Sequence, residues 1–198
     1  MVVVFVGTAI VEPSETLGFY HLHPRDRFWQ LLEIGGITPE QIIHPKERKA
    51  LTEGHAKGNL SDPIRSMFFQ KKTSQLLKLE IGLTDLNRRV IASSDKDKSG
   101  RPTQEDIQEF SQKVERLNPK ILAFVSDSEI FVELFRRELA GNLGILGLQP
   151  FRISKSEVWL LGSTTKMLRG EALTRQEDAF FELGERISAL KGMSISSS

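Results

Sequence analysis

The chain has 198 residues, 39% hydrophobic and 27% charged, with a formal net charge of +1. That length suits one well-buried α/β domain and is short for two, and the balanced charge announces no polyanion binder, although a local basic patch survives such averaging. The absence of cysteine excludes disulfides, thiol catalysis and Cys-ligated zinc or iron–sulfur centres, and it fits a reducing, cytoplasmic setting.

The first predicted element is the apolar run "VVVFVG" (Val2 to Gly7), a strand covered on both faces. It is too short for a signal h-region or a membrane span. A helix is expected over Asp26 to Gly35. The stretch Ala56 to Gln75 then carries breakers (Gly58, Asn59, Pro63), a basic cluster (Arg65, Lys71, Lys72) and the pair Phe68-Phe69. It reads as an inserted loop with a short helix. A solvated loop pinned by the two phenylalanines is the plainer account; contact with a nucleic-acid backbone is the other. Strands follow at Leu77 to Leu83, Lys120 to Ser126 and Glu157 to Ser163. Between and after them come helices at Thr103 to Leu117, Asp127 to Leu139 and Thr174 to Leu190. In the last of these, Ala179, Leu183, Ile187 and Leu190 repeat at helical spacing. Residues 1–192 form one domain on this reading, with residues 193–198 a disordered serine-rich tail.

Strands alternating with helices argue for an α/β fold with a mainly parallel four-stranded sheet. Ligand sites in such sheets lie beyond the carboxyl ends of the strands. That edge carries Gly7-Thr8-Ala9, Thr84-Asp85, Ser126-Asp127 and Ser163-Thr164-Thr165. His21 and His23 raise the question of a metal, but without cysteine or a suitably spaced carboxylate the expectation is none. Asp95 to Asp106, "DKDKSGRPTQED", imitates a calcium loop with Asp95, Asp97, Ser99, Gly100 and Asp106. Pro102 at the eighth position and Asp in place of the closing Glu spoil the match. Thr103 with Asp106 reads instead as a capping box.

Three segments carry a family resemblance. "GTA" with "YHLHPRDRFWQLL", "IGLTDLNRR" (Ile81 to Arg89) and "VWLLGSTTKMLR" (Val158 to Arg169) together resemble the uracil-DNA glycosylase superfamily. The nearest branches are the mismatch-specific uracil/thymine type and the related uracil- and hypoxanthine-acting subfamilies. Gly7 and Pro24 fall at the family's spacing. The resemblance covers most of the chain apart from the Ala56 to Gln75 insertion and the tail. It implies a three-layer α/β/α sandwich, no cofactor, DNA as partner, and a monomer.

A glycosylase of this kind takes a base out of the stack into a pocket and breaks its C–N bond through a cation-like sugar. The resemblance distributes the tasks as follows. Gly7, Thr8 and Ala9 lie under the base with Thr84 and Ser126 nearby, and Tyr20 or His21 is the stacking platform. Ala9 stands where the mismatch-specific branch has a water-holding Asn, so that task falls to Asp26, at the Asn of the family's Pro-x-Asn-Arg-Phe-Trp. A carboxylate there can accept a proton from water and offset the positive sugar. Asp26 is equally well placed to cap the helix that follows it. Ser163, Thr164, Thr165 and Lys166 are expected to grip the lesion strand, with Met167 as a wedge and Arg169 on phosphate or the opposite base.

The leading expectation is therefore a monofunctional DNA glycosylase acting on uracil or hypoxanthine. The alternative is a degenerate member that binds DNA or a base without hydrolysis, suggested by departures from the family pattern at Ala9, Asp26, Gly162, Lys166 and Ser126-Asp127. A weaker third is cleavage of free nucleosides.

Overall fold

The architecture comes from a computed structural model that describes residues 1–11, 14–23, 25–58, 61–92, 101–139, 145–165 and 167–195. Strands β1 (Val3–Val11), β2 (Ile81–Ala92), β3 (Ile121–Phe124), β4 (Gly147–Ile153) and β5 (Ser156–Leu160) form one sheet in the order β2-β1-β3-β5-β4. The pairs β1/β2, β1/β3 and β3/β5 are parallel, and β4 runs antiparallel to β5. The helices are α1 (Ser14–Leu17), α2 (Phe28–Ile34), α3 (Pro45–Ala56), α4 (Asp62–Lys78), α5 (Gln104–Leu117), α6 (Ser128–Leu134) and α7 (Glu171–Ile195). The result is an α/β protein with a mixed, mostly parallel sheet flanked by helices.

The apolar runs form inner strands because alternate residues serve two separate cores. Val3, Phe5, Ile121, Ala123, Trp159 and Leu161 face one core with residues of α2, α3, α4 and α7. Val4, Val6, Leu122, Phe124, Val158 and Leu160 face the other with α5 and α6. Parallel register sets Gly7 beside Asp85. A Cβ on Gly7 would lie 2.1 Å from Asp85 Oδ1, so any larger residue there would have to displace the Asp85 carboxylate.

Two sequence expectations are corrected. The sheet has five strands rather than four. Strand β4 escaped notice because it is an edge strand of alternating burial with Pro150 inside it, a residue that inner strands exclude. The Ala56 to Gln75 stretch is not a loop, since most of it belongs to the 17-residue helix α4, which also takes Leu77 and Lys78 from the expected second strand. Pro63 sits in the first turn of that helix, where its missing N–H costs nothing and its fixed φ favours helix. Phe69 is buried and Phe68 half-buried, so the pair does pin the segment, though to a helix rather than a loop.

The Thr103–Asp106 capping box is present, with reciprocal bonds of 3.2 and 2.7 Å. Asp95, Asp97, Ser99 and Gly100 of the calcium-like stretch lie outside the described residues. Helix α7 runs on through Ile195; residues 196–198 are not described. Among the described residues no helix is long and apolar enough to cross a membrane.

Candidate functional site

The site grows from the segment between β1 and α2. Asp26 is only 4% exposed, and its carboxylate is held from three directions. Oδ1 accepts the Phe28 backbone N–H at 2.9 Å and the Thr164 hydroxyl at 2.6 Å. Oδ2 lies 2.9 Å from His21 Nδ1. The Asp26 carbonyl in turn accepts a hydrogen bond from the Arg48 guanidinium of α3. The N-cap position of α2 is Arg27 rather than Asp26, but Asp26, one residue earlier, still satisfies the Phe28 N–H of the first turn, and it does more than that.

Burial pushes the Asp26 carboxyl up. The charge on His21 and the hydrogen bonds from His21, Thr164 and Phe28 N–H outweigh it and hold the group below its usual range. Asp26 is therefore an anion and can only accept. That fixes His21 as the donor through Nδ1 and leaves Nε2 as the ring nitrogen not bonded to Asp26. The His21 backbone lies at φ 56°, an uncommon conformation for a non-glycine residue. Its ring packs on Phe28 with centroids 3.8 Å apart and planes within 17°, while its carbonyl accepts the Trp29 indole N–H at 3.2 Å. One ring face and one ring nitrogen are thus occupied by the protein. Burial pulls the Arg48 guanidinium down and the Asp26 charge pulls it up, so the buried arginine and Asp26 are electrostatic partners.

The second half of the site is the loop after β5. Besides the Thr164 hydroxyl bond, the Thr164 carbonyl accepts Arg27 N–H at 3.0 Å. The buried Gln176 of α7 donates Nε2–H to the carbonyls of Leu161 and Ser163 at 3.2 and 3.1 Å, and Ser163 and Thr165 share a hydroxyl bond of 3.0 Å. Arg27 closes the circuit by pairing with Glu177 of α7 at 2.7 Å. Gly162 has φ 74°, a conformation closed to the proline that the resemblance would place there.

The sequence candidates separate into groups. Asp26, His21 and Thr164 meet directly. Gly7, Thr8 and Ala9 do not lie beyond the end of a strand as expected: β1 runs on to Val11, and Gly7 and Ala9 pair in register with Asp85 and Asn87 of β2. Tyr20 is half-buried next to His21. Thr84 is not brought to Asp26: it pairs with Val6 in register, toward the core of α5 and α6, and its hydroxyl accepts from Lys113 at 2.9 Å. It lines a cleft of about 510 Å³ against α5. The Ser126 hydroxyl turns to the Asp127 carbonyl at 3.4 Å. Met167 is 73% exposed and Arg169 is exposed, free of the core as a wedge and a phosphate contact require. Pro24 and Lys166 lie outside the described residues. Arg48 and Gln176 were missed, because each acquires its place through contacts far away in sequence and neither stands in a recognisable pattern. No group of three potential metal ligands occurs among the described residues.

Fold and site together define a class: an α/β protein whose sheet presents a buried Asp–His pair, bolted to the loop after its last parallel strand. Compared against models of known protein families, the chain matches none.

Proposed function

We propose that this protein is a monofunctional DNA glycosylase of the uracil-DNA glycosylase-like kind, an α/β/α sandwich that flips a uracil or hypoxanthine nucleotide and hydrolyses its glycosidic bond with water. One observation carries this reading. The two segments most telling in the sequence, "HPRDRFW" and "LGSTTKMLR", meet through Thr164 on the carboxylate of Asp26. A purely structural cap would need only the Phe28 bond.

In this mechanism water adds to C1′ of the flipped nucleotide while the C1′–N bond breaks, its electron pair leaving on the base. Asp26, held ionised and shielded, is a poor proton acceptor. Its negative charge offsets the cationic sugar and its Oδ2 orients His21. With the His21 ring neutral and its Nδ1–H on Asp26, Nε2 takes the proton from water, and the departing base is protonated from solvent. Tyr20, adjacent in the chain, is the residue left to stack on the base. Thr165 with the exposed Met167 and Arg169 holds the lesion strand, whereas Ser163 and Thr164, expected there from the sequence, are buried and Thr164 serves Asp26 instead.

The seclusion of Asp26 also favours the second reading, a protein that binds DNA or a base without hydrolysis. The same experiment divides the two. Duplexes carrying one deoxyuridine or deoxyinosine are incubated with the protein, and abasic sites are cleaved with alkali. Strand breaks that disappear in His21→Ala and Asp26→Asn establish the glycosylase. DNA binding without breaks in the wild type establishes the binder.

A further inference from the structure

We infer that the groove between the α1–α2 turn and helix α4 seats the phosphodiester backbone of the strand flanking the flipped nucleotide; this rests on the glycosylase reading above. The groove encloses about 680 Å³. Its walls offer Arg65, Ser66, Gln70, Thr73 and Ser74 from α4, facing Gly18 of the turn. All five of these polar side chains have hydrogen-bond donors to offer, and no Asp or Glu is among the described residues lining the groove. Sequence-independent phosphate contacts are made by these residue types, arginine, hydroxyls and side-chain amides.

The groove is joined rigidly to the site. Its floor is the stack of Phe19 on Phe69, centroids 4.7 Å apart and planes within 10°. Phe19 continues onto Trp29 at 6.0 Å, whose indole N–H holds the His21 carbonyl. The chain passes from groove to site within Phe19-Tyr20-His21. Arg65 is bound to Asp62 at 2.8 Å, but Asp62 is exposed, and such a pair is weak enough for phosphate to compete.

The opposite flank of the site excludes the same ligand. There a cleft of about 650 Å³ beside α7 is lined by Asp127, Glu171, Asp178 and Glu182, and Arg175, its one described cation, is already held by Glu171. Phosphate is disfavoured in that cleft and accepted in the groove, so the strand that Met167 and Arg169 touch leaves the site toward α4.

The test is fluorescence anisotropy with a labelled duplex carrying one deoxyuridine, at several salt concentrations. Arg65→Glu and Thr73→Glu each place a carboxylate in the groove, on side chains outside the core. Each is expected to weaken binding about tenfold, and Arg65→Glu to lower the salt slope by about one. Arg65→Lys should keep most of the affinity, and Asp178→Asn with Glu182→Gln should leave it unchanged or raise it. Thermal melts establish that the variants fold. Wild-type affinity in both groove variants would overturn the inference while leaving the glycosylase reading intact. A wild type that neither binds nor cleaves the duplex would overturn both.

Discussion

The two faces of the sheet are built on different principles. The face toward α5 and α6 is a cluster of phenylalanines: Phe124 contacts Phe110, Phe131 and Phe135 with centroids 5.2 to 6.0 Å apart, and Phe151 packs onto the last two. Packing of that kind is non-directional and tolerates exchange of similar volumes. The face toward α2, α3, α4 and α7 is the larger apolar cluster, and it is threaded with directional bonds that join Arg48 and Thr164 to Asp26 and Gln176 to the carbonyls of Leu161 and Ser163. Buried polar groups are costly unless every bond is made. Asp26 meets that cost with its three donors, although Gln176 Oε1 and the Trp159 indole N–H on the same face find no partner among the described residues. The bonds that are made fix positions to within a hydrogen bond, as a reaction centre requires, whereas the phenylalanine face has only to exclude water.

The sharpest way to break this contrast is to remove one anchor from each face. Asp26→Asn should lower base excision by about 100-fold or more, because the amide presents a donor where the carboxylate only accepts and releases His21. Phe124→Ala should cost about 3–5 kcal/mol of stability yet leave excision per folded molecule near that of the wild type. Alkaline cleavage on single-lesion duplexes, paired with denaturant melts, reads both. Equal loss of excision in the two variants, tracking stability alone, would erase the distinction between the faces.

Gly184→Val attacks the polar face through its backbone. A Cβ at Gly184 of α7 would lie 1.8 Å from the Gly35 carbonyl oxygen at the end of α2. That oxygen is backbone and cannot swing aside, so the helices must separate. The expected cost is about 3 kcal/mol, seen as a lower melting temperature. Because α2 follows directly on Asp26 and α7 holds the loop after β5 through Gln176 and pairs Glu177 with Arg27, excision should fall further than stability explains.

How much of this was legible in the sequence follows from the range of the interactions. Val2 to Val6 and Ile121 to Val125 read correctly as inner strands because burial on both faces is written into consecutive residues. The importance of Asp26 was legible from its motif and its position before a helix. Arg48 was not, because it sits in the polar run "HPKERKALTEGHAKG" and only the folding of α3 against the site gives it a carbonyl to hold. Helix α4 was misread for a local reason: Pro63 and Gly58 look like breakers until one sees that both lie at helix ends, Gly58 just beyond α3 and Pro63 in the first turn of α4.

A smaller change tests a single bond. Thr164→Val keeps shape and removes the 2.6 Å donor to Asp26. It should cost about 1–2 kcal/mol and reduce excision about tenfold, with unchanged affinity for an abasic duplex. Loss of affinity with unchanged excision of bound substrate would assign Thr164 to the DNA rather than to Asp26.

The gentlest probe is pH. The folded pKa of Asp26 lies below its ordinary value of 3.8, so the unfolded chain binds the proton first as pH falls. The stability contributed by Asp26 is therefore complete above its unfolded pKa and is lost as pH drops through the folded one. Glu157, lowered first by its hydrogen bond to Arg186 and further by the charges of Arg186 and Arg152 against the opposing effect of burial, adds a similar limb from the far end of β5. Denaturant melts across the acid range should therefore show stability falling below pH about 4, and Asp26→Asn should flatten part of that fall. The remaining slope belongs to Glu157 and other carboxylates and should persist in Asp26→Asn but shrink in Glu157→Gln. A wild-type curve left unchanged by Asp26→Asn would mean that the carboxylate is not held ionised by its three donors, and the directional face would lose its central bond.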